Sequence, residues 1–274
     1  MIGAAFDLSG TLVRDAGLER AACVDLLRRL SDERRSSFDE AAASALWDAS
    51  ERTFATQHER APDASYFVGA VRAFLGEPAA ARVVLSLFRQ IAMQLVPGRI
   101  EPLPRARETL AQIGSLGVPC AILTNGWSSI EQRKATQLGF AGPVLVSEDI
   151  GCRKPQEAAF AALSRALGLP PDRIWYVADD PEDIAGAARA GLHTVWLRPS
   201  GAAFPSEFEA PEHAIERVDE VLALLAEPYA RSLLGLRYVL HSTLSWRPGH
   251  FVPGAEYGLN APASLEHVMP APKE

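Results

Sequence analysis

Short apolar runs that end on polar residues recur along this chain, and helix-length patterns separate them. The runs are residues 2–8, then "CAILTN" (120–125), "PVLVSED" (143–149), "RIWYVADD" (173–180) and "HTVWL" (193–197). Between them lie helical patterns near Leu110 and Ile113, over about 128–138, in "PQEAAFAALSRALGL" and in the small-residue segment "DIAGAARAGL". Strand and helix alternating through short connections imply an α/β fold, a Rossmann-like parallel sheet. Ligands of such sheets gather at the C-terminal ends of the strands. The chemistry of this chain is therefore expected where its apolar runs stop.

One long interruption breaks the alternation. Leu26, Leu27 and Leu30 recur at helical spacing, as do Phe67, Val71, Phe74 and Leu75. Val84, Leu87, Phe88, Ile91 and Leu95 make the clearest amphipathic stripe. The expected organisation is an α/β core from residues 1–14 and 99–226, with a helical domain inserted at 15–98. Residues 227–274 do not continue the alternation and are rich in Pro and Gly beyond Trp246; they read as a C-terminal extension, an ordered arm or a tail.

Composition narrows the partners. The net charge is −7 and no basic block is present, which argues against a nucleic-acid or anionic-membrane partner but not against a small phosphorylated metabolite. No apolar run approaches the ~18 residues of a membrane span. No basic, apolar leader precedes the first strand, so the expected compartment is the cytoplasm. Cys23, Cys120 and Cys152 form no CxxC pair; each reads as a small buried hydrophobe rather than a zinc ligand or a disulfide partner.

Four polar points fall at strand ends: Asp7 with Ser9, Gly10 and Thr11; Thr124 with Asn125; Lys154; and Asp179 with Asp183. A carboxylate such as Asp7 can serve as nucleophile, base or metal ligand. Main-chain amides of the Gly10–Thr11 turn can hold anionic oxygens, and Thr124 and Asn125 can donate to the same oxygens. Lys154 supplies the positive charge that lets a carboxylate approach a phosphate. Asp179 and Asp183 offer hard oxygens suited to Mg²⁺.

In order and spacing these segments resemble the four motifs of the haloacid dehalogenase-like superfamily. "FDLSGTL" is similar to the first, "ILTNG" to the second, "GCRKP" to the third and "YVADDPEDIAGA" to the fourth. The inserted segment stands where the subfamily I type carries its helical cap. The resemblance implies a Mg²⁺-dependent hydrolase, a phosphatase forming an aspartyl-phosphate on Asp7. It implies that the Ser9 carbonyl and Asp179 bind Mg²⁺ and that Thr124 binds the phosphoryl group, with Asn125 beside it. Lys154 would neutralise charge, and Asp183 would hold either the metal shell or Lys154.

Ser9 departs from the pattern. Phosphatases of the superfamily carry there a second aspartate that protonates the leaving oxygen. A serine cannot relay protons near neutral pH, and the lost help is worth ~10²–10⁴-fold. Three readings follow: a phosphatase for good leaving groups or with another proton source, a catalytically weakened relative that binds a ligand or partner, and a dehalogenase. Asp179 and the Phe160 found six residues after Lys154 stand against dehalogenation, where the family has no metal-binding aspartate and often a tyrosine. Asp15 is a candidate replacement acid. His58, Arg60, Arg34 and Arg35 are candidate substrate contacts from the cap, and Trp127 either walls the pocket or packs at the cap hinge. A homodimer stays open.

Overall fold

The computed structural model describes residues 1–56, 65–76, 80–198 and 202–226. His58, Arg60 and the extension at 227–274 lie outside the described residues. Six parallel strands form the main sheet in the order β5-β4-β1-β6-β7-β8. They are β1 (Gly3–Phe6), β4 (Cys120–Thr124), β5 (Val144–Val146), β6 (Ile174–Ala178), β7 (His193–Leu197) and β8 (His213–Ile215). β1 lies inside the sheet, with Ala5 in register with Ala121 of β4 on one side and with Tyr176 of β6 on the other. That position brings the ends of the first, second and fourth motifs side by side.

Alternation along the strands divides the buried side chains between two faces. Ala4, Phe6, Ile122 and Val177 share one apolar cluster with α5 (Ala106–Ser115) and α6 (Ser128–Leu138). Ala5, Ala121, Leu123, Tyr176 and Ala178 share the other with α8 (Glu157–Leu167) and α9 (Pro181–Arg189). Both faces are covered, the usual condition of a parallel sheet. Gly186 lets α9 approach the third motif closely: a β-carbon there would stand 2.7 Å from Pro155 Cβ and 2.9 Å from Phe160.

Among the described residues the inserted cap contains α1 (Leu18–Glu33), α2 (Glu40–Thr56), α3 (Ser65–Leu75) and α4 (Ala81–Arg99). α1 buries Leu18, Ala22, Cys23, Leu26, Leu27 and Leu30, a stripe of helical period. α4 buries Val84, Phe88, Ile91, Ala92 and Val96; Leu87 and Leu95 pack only partly against it. The chain enters and leaves the cap through a ribbon the sequence pattern does not announce. β2 (Val13–Asp15) pairs antiparallel with β3 (Ile100–Pro102), Asp15 opposite Ile100. The short helix α7 (Ser147–Ile150) completes the tip after β5. Cys23 is fully buried, whereas Cys120, the first residue of β4, and Cys152, in the loop before Lys154, are only half-buried.

Rings join cap to core. Phe88 of α4 stacks on Trp47 of α2 (centroids 5.9 Å apart) and meets Trp127, just past the second motif, at 5.6 Å. Phe67 of α3 lies 4.8 Å from Phe88. Trp127 thus packs against rings of the cap helices α3 and α4, which lie outside the β2–β3 ribbon that forms the hinge. Arg89 stands over the Trp127 ring and pairs with Glu148 of α7, whose other oxygen accepts the Ser128 amide at 2.8 Å.

Candidate active site

Asp7 is the first residue past β1, and its amide continues the ladder to Val177 O (2.9 Å). Lys154 Nζ contacts Asp7 Oδ1 directly and Asp183 Oδ2 at 2.5 Å, with the lysine only 3% exposed. Asn125 sets the lysine's position: its Oδ1 accepts the Lys154 amide (2.9 Å) and its Nδ2 donates to the Lys154 carbonyl (3.0 Å). Thr11 donates to Asp179 Oδ1 (2.9 Å) and accepts the Asp179 amide (3.1 Å), tying the turn after β1 to the end of β6. Gly10, at φ +91°, lies against that carboxylate. A β-carbon there would come within 2.2 Å of Asp179 Oδ2, so only glycine leaves the space.

Several expected ligand contacts are wholly or partly occupied within the protein. The Asn125 side chain gives one of its two amide hydrogens to the Lys154 carbonyl and accepts the Lys154 amide, which leaves one N–H for a ligand. The single proton of the Thr124 hydroxyl goes to Glu131 Oε2 (2.8 Å), so donating to a ligand requires exchanging that bond. Asp183 faces Lys154, one of the two roles the motif allows it. Arg34 and Arg35 follow α1, remote in sequence from any motif, and Arg35 takes a left-handed φ of 55° in that turn.

Three carboxylates, Asp7, Asp179 and Asp183, share this end of the sheet, and the ammonium of Lys154 lies against two of them. Burial alone pushes the lysine down, but Asp183 and Asp7 outweigh it and hold its pKa well above the ordinary value. The Asp179 carboxyl is raised, first by burial and then by the charge of Asp7. Excess negative charge beside a hard oxygen set fits a divalent cation. Among the described residues no three His, Cys, Asp or Glu side chains gather to hold a metal unaided. Mg²⁺ does not need such a cage: one or two carboxylates, with water and a substrate phosphate, are its common shell. Asp7, Asp179 and the Ser9 carbonyl fit that pattern.

Sequence reasoning missed a second charged group beside the first. Lys134 of α6, 3% exposed, pairs with Glu131 Oε1 (2.8 Å) and Asp15 Oδ2 (3.1 Å) and donates to Ser9 Oγ (3.4 Å). Asp15 also accepts the Leu18 amide at 2.8 Å, starting α1. The available signal was positional: Glu131 and Lys134 share a helix face with the buried Ile130 and Leu138.

The family model described as haloacid dehalogenase-like hydrolase matches residues 3–191. The chain belongs to the haloacid dehalogenase-like hydrolases. Within that family it is 32% identical over 135 residues to a glyceraldehyde 3-phosphate phosphatase of Methanopyrus kandleri, covering 47% of this chain and 58% of that protein. Its match to a phosphoglycolate phosphatase of Pectobacterium atrosepticum is 29% over 232 residues, covering 81% and 92%. The crystal structure of a 2-haloacid dehalogenase from Pseudomonas syringae shares the fold at TM-score 0.60 and 23% identity, covering 83% of this chain and 99% of that one. The chain spans about half the length of several of the relatives it matches. As in any family member with a helical cap, the hydrolase core and its cover form one architecture here, and among the described residues no helix is long and apolar enough to cross a membrane.

Proposed function

We propose that the protein is a Mg²⁺-dependent phosphatase acting on a small phosphorylated metabolite through Asp7. The observation that carries this reading is Asp179, held by Thr11 against the turn that follows Asp7. It adds a carboxylate where metal-free dehalogenation needs none. Phe160 speaks the same way: it is fully buried, edge-on to Tyr176 at 5.3 Å, and has no hydroxyl to offer.

In this reading Asp7 attacks the phosphorus in line with the leaving oxygen. The Asp7–phosphorus bond forms, the bond to the leaving oxygen breaks, and the electron pair departs with that oxygen. Water then cleaves the aspartyl-phosphate and regenerates Asp7. Lys154, fixed by Asn125 and Asp183, keeps its ammonium beside the nucleophile and attracts the phosphoryl oxygens. Mg²⁺ bound by Asp7, Asp179 and the Ser9 carbonyl would supply the remaining charge neutralisation, the main requirement of phosphoryl transfer. The cap excludes water and selects the metabolite. Two relatives named as phosphatases of small phosphorylated compounds support the substrate class.

A binding role without turnover is the second reading, favoured by Ser9 and by the occupied Thr124 side chain. The test is hydrolysis of para-nitrophenyl phosphate and a metabolite panel, with and without Mg²⁺, by wild type and Asp7→Asn. Turnover that needs Mg²⁺ and vanishes in Asp7→Asn is expected. Equal background rates would favour binding, and halide release from a 2-haloacid without Mg²⁺ would favour dehalogenation.

A further inference from the structure

Ser9 occupies the position from which the leaving oxygen is expected to be served, and Lys134 reaches it from α6. An ammonium has donors and no acceptor. When Lys134 donates to Ser9 Oγ, the hydroxyl's own hydrogen must point elsewhere. Lys134 cannot swing away freely, because Glu131 and Asp15 grip it in a buried position. Held there, its ammonium reaches Ser9 Oγ at 3.4 Å.

We propose that Lys134 is a positioning residue that fixes Ser9 as a hydrogen-bond donor to the leaving oxygen. This rests on the phosphatase reading. Ser9 donates a hydrogen bond and keeps its proton; solvent water protonates the leaving group after the phosphorus–oxygen bond has broken. The arrangement favours phosphates whose leaving groups are weakly basic, such as aryl and acyl phosphates, over alkyl phosphates. A hydrogen bond to a charged oxygen strengthens as charge develops on it. Its loss therefore weighs most on the most basic leaving groups.

The test is kcat and KM for a series of aryl phosphates of graded phenol pKa, in Mg²⁺, for wild type, Ser9→Ala, Lys134→Met and the double variant. Each single variant should slow kcat on the most basic phenol by about ten- to hundredfold, with KM little changed. The dependence on phenol pKa should steepen equally in both. The double variant should be no slower than either single one, and Lys134→Arg should recover most of the rate. A uniform loss along the series, or losses that multiply in the double variant, overturns the proposal. If Lys134→Met does not fold, Glu131→Gln with Lys134→Met is compared with Glu131→Gln alone, under the same expectations.

The two readings fail separately. Wild-type rates equal to those of Asp7→Asn refute the phosphatase. Calorimetric binding of orthovanadate in Mg²⁺ then decides the role of Lys134. Weakening of about tenfold in each single variant and no more in the double one supports it, and additive or absent effects refute it. A wild type that neither turns over nor binds vanadate overturns both.

Discussion

Lys154 holds together carboxylates 147 and 29 residues away in the chain, with almost no water near it. Replacing it with Met leaves Asp7 and Asp183 buried without a cation. Denaturant unfolding should show a loss of about 3–5 kcal/mol, the usual consequence of breaking a buried pair from one side. Asp7→Asn, which keeps the shape and leaves Lys154 on Asp183, should melt close to wild type while losing turnover. Asp7, Thr124 and Asp179 stand at or just past the ends of β1, β4 and β6, where few positions compete, but Lys154 does not end a strand: it lies in the loop beyond α7 and was readable only from "GCRKP". Glu131 and Lys134 were not readable, since in "SSIEQRKATQL" a buried ion pair is spelled with the same letters as a solvated helix face. Only the partner across the fold, Ser9 or Asp15, distinguishes the two cases.

Helices carry the contact between cap and core, and one ring is central to it. Phe88 is fully buried among Trp47, Phe67 and Trp127. Phe88→Ala should cost about 3–5 kcal/mol, measured by chemical unfolding, because three aromatic neighbours cannot collapse into the space left. The cap helices were readable from their apolar period, since a helix of 16 or 19 residues repeats its stripe several times. The ribbon β2–β3 and the edge strand β8 were not readable. Each strand has three residues, too few for an alternation to show.

For the molecule as a whole, the excess of carboxylate at one end of the sheet links stability to cation. Mg²⁺ at a hundredfold excess over its Kd should stabilise the fold by about 2.7 kcal/mol. That raises the melting temperature by about 5–10 °C. Asp179→Asn should abolish most of the rise, whereas a rise of the same size in that variant would remove Asp179 from the cation's shell. The parallel class of the sheet followed from alternation, but the strand order did not. Several apolar runs of similar length are interchangeable neighbours for β1 until tertiary packing chooses among them. The ribbon gives this molecule one further property. The excursion that begins after Asp15 returns at Ile100, directly across one rung of a two-stranded ladder. A change of length in those helices is therefore not passed along the chain to the strands of the sheet, and a short turn grafted across the rung should keep the strand order while baring Trp127, the core ring that Phe67 and Phe88 now cover.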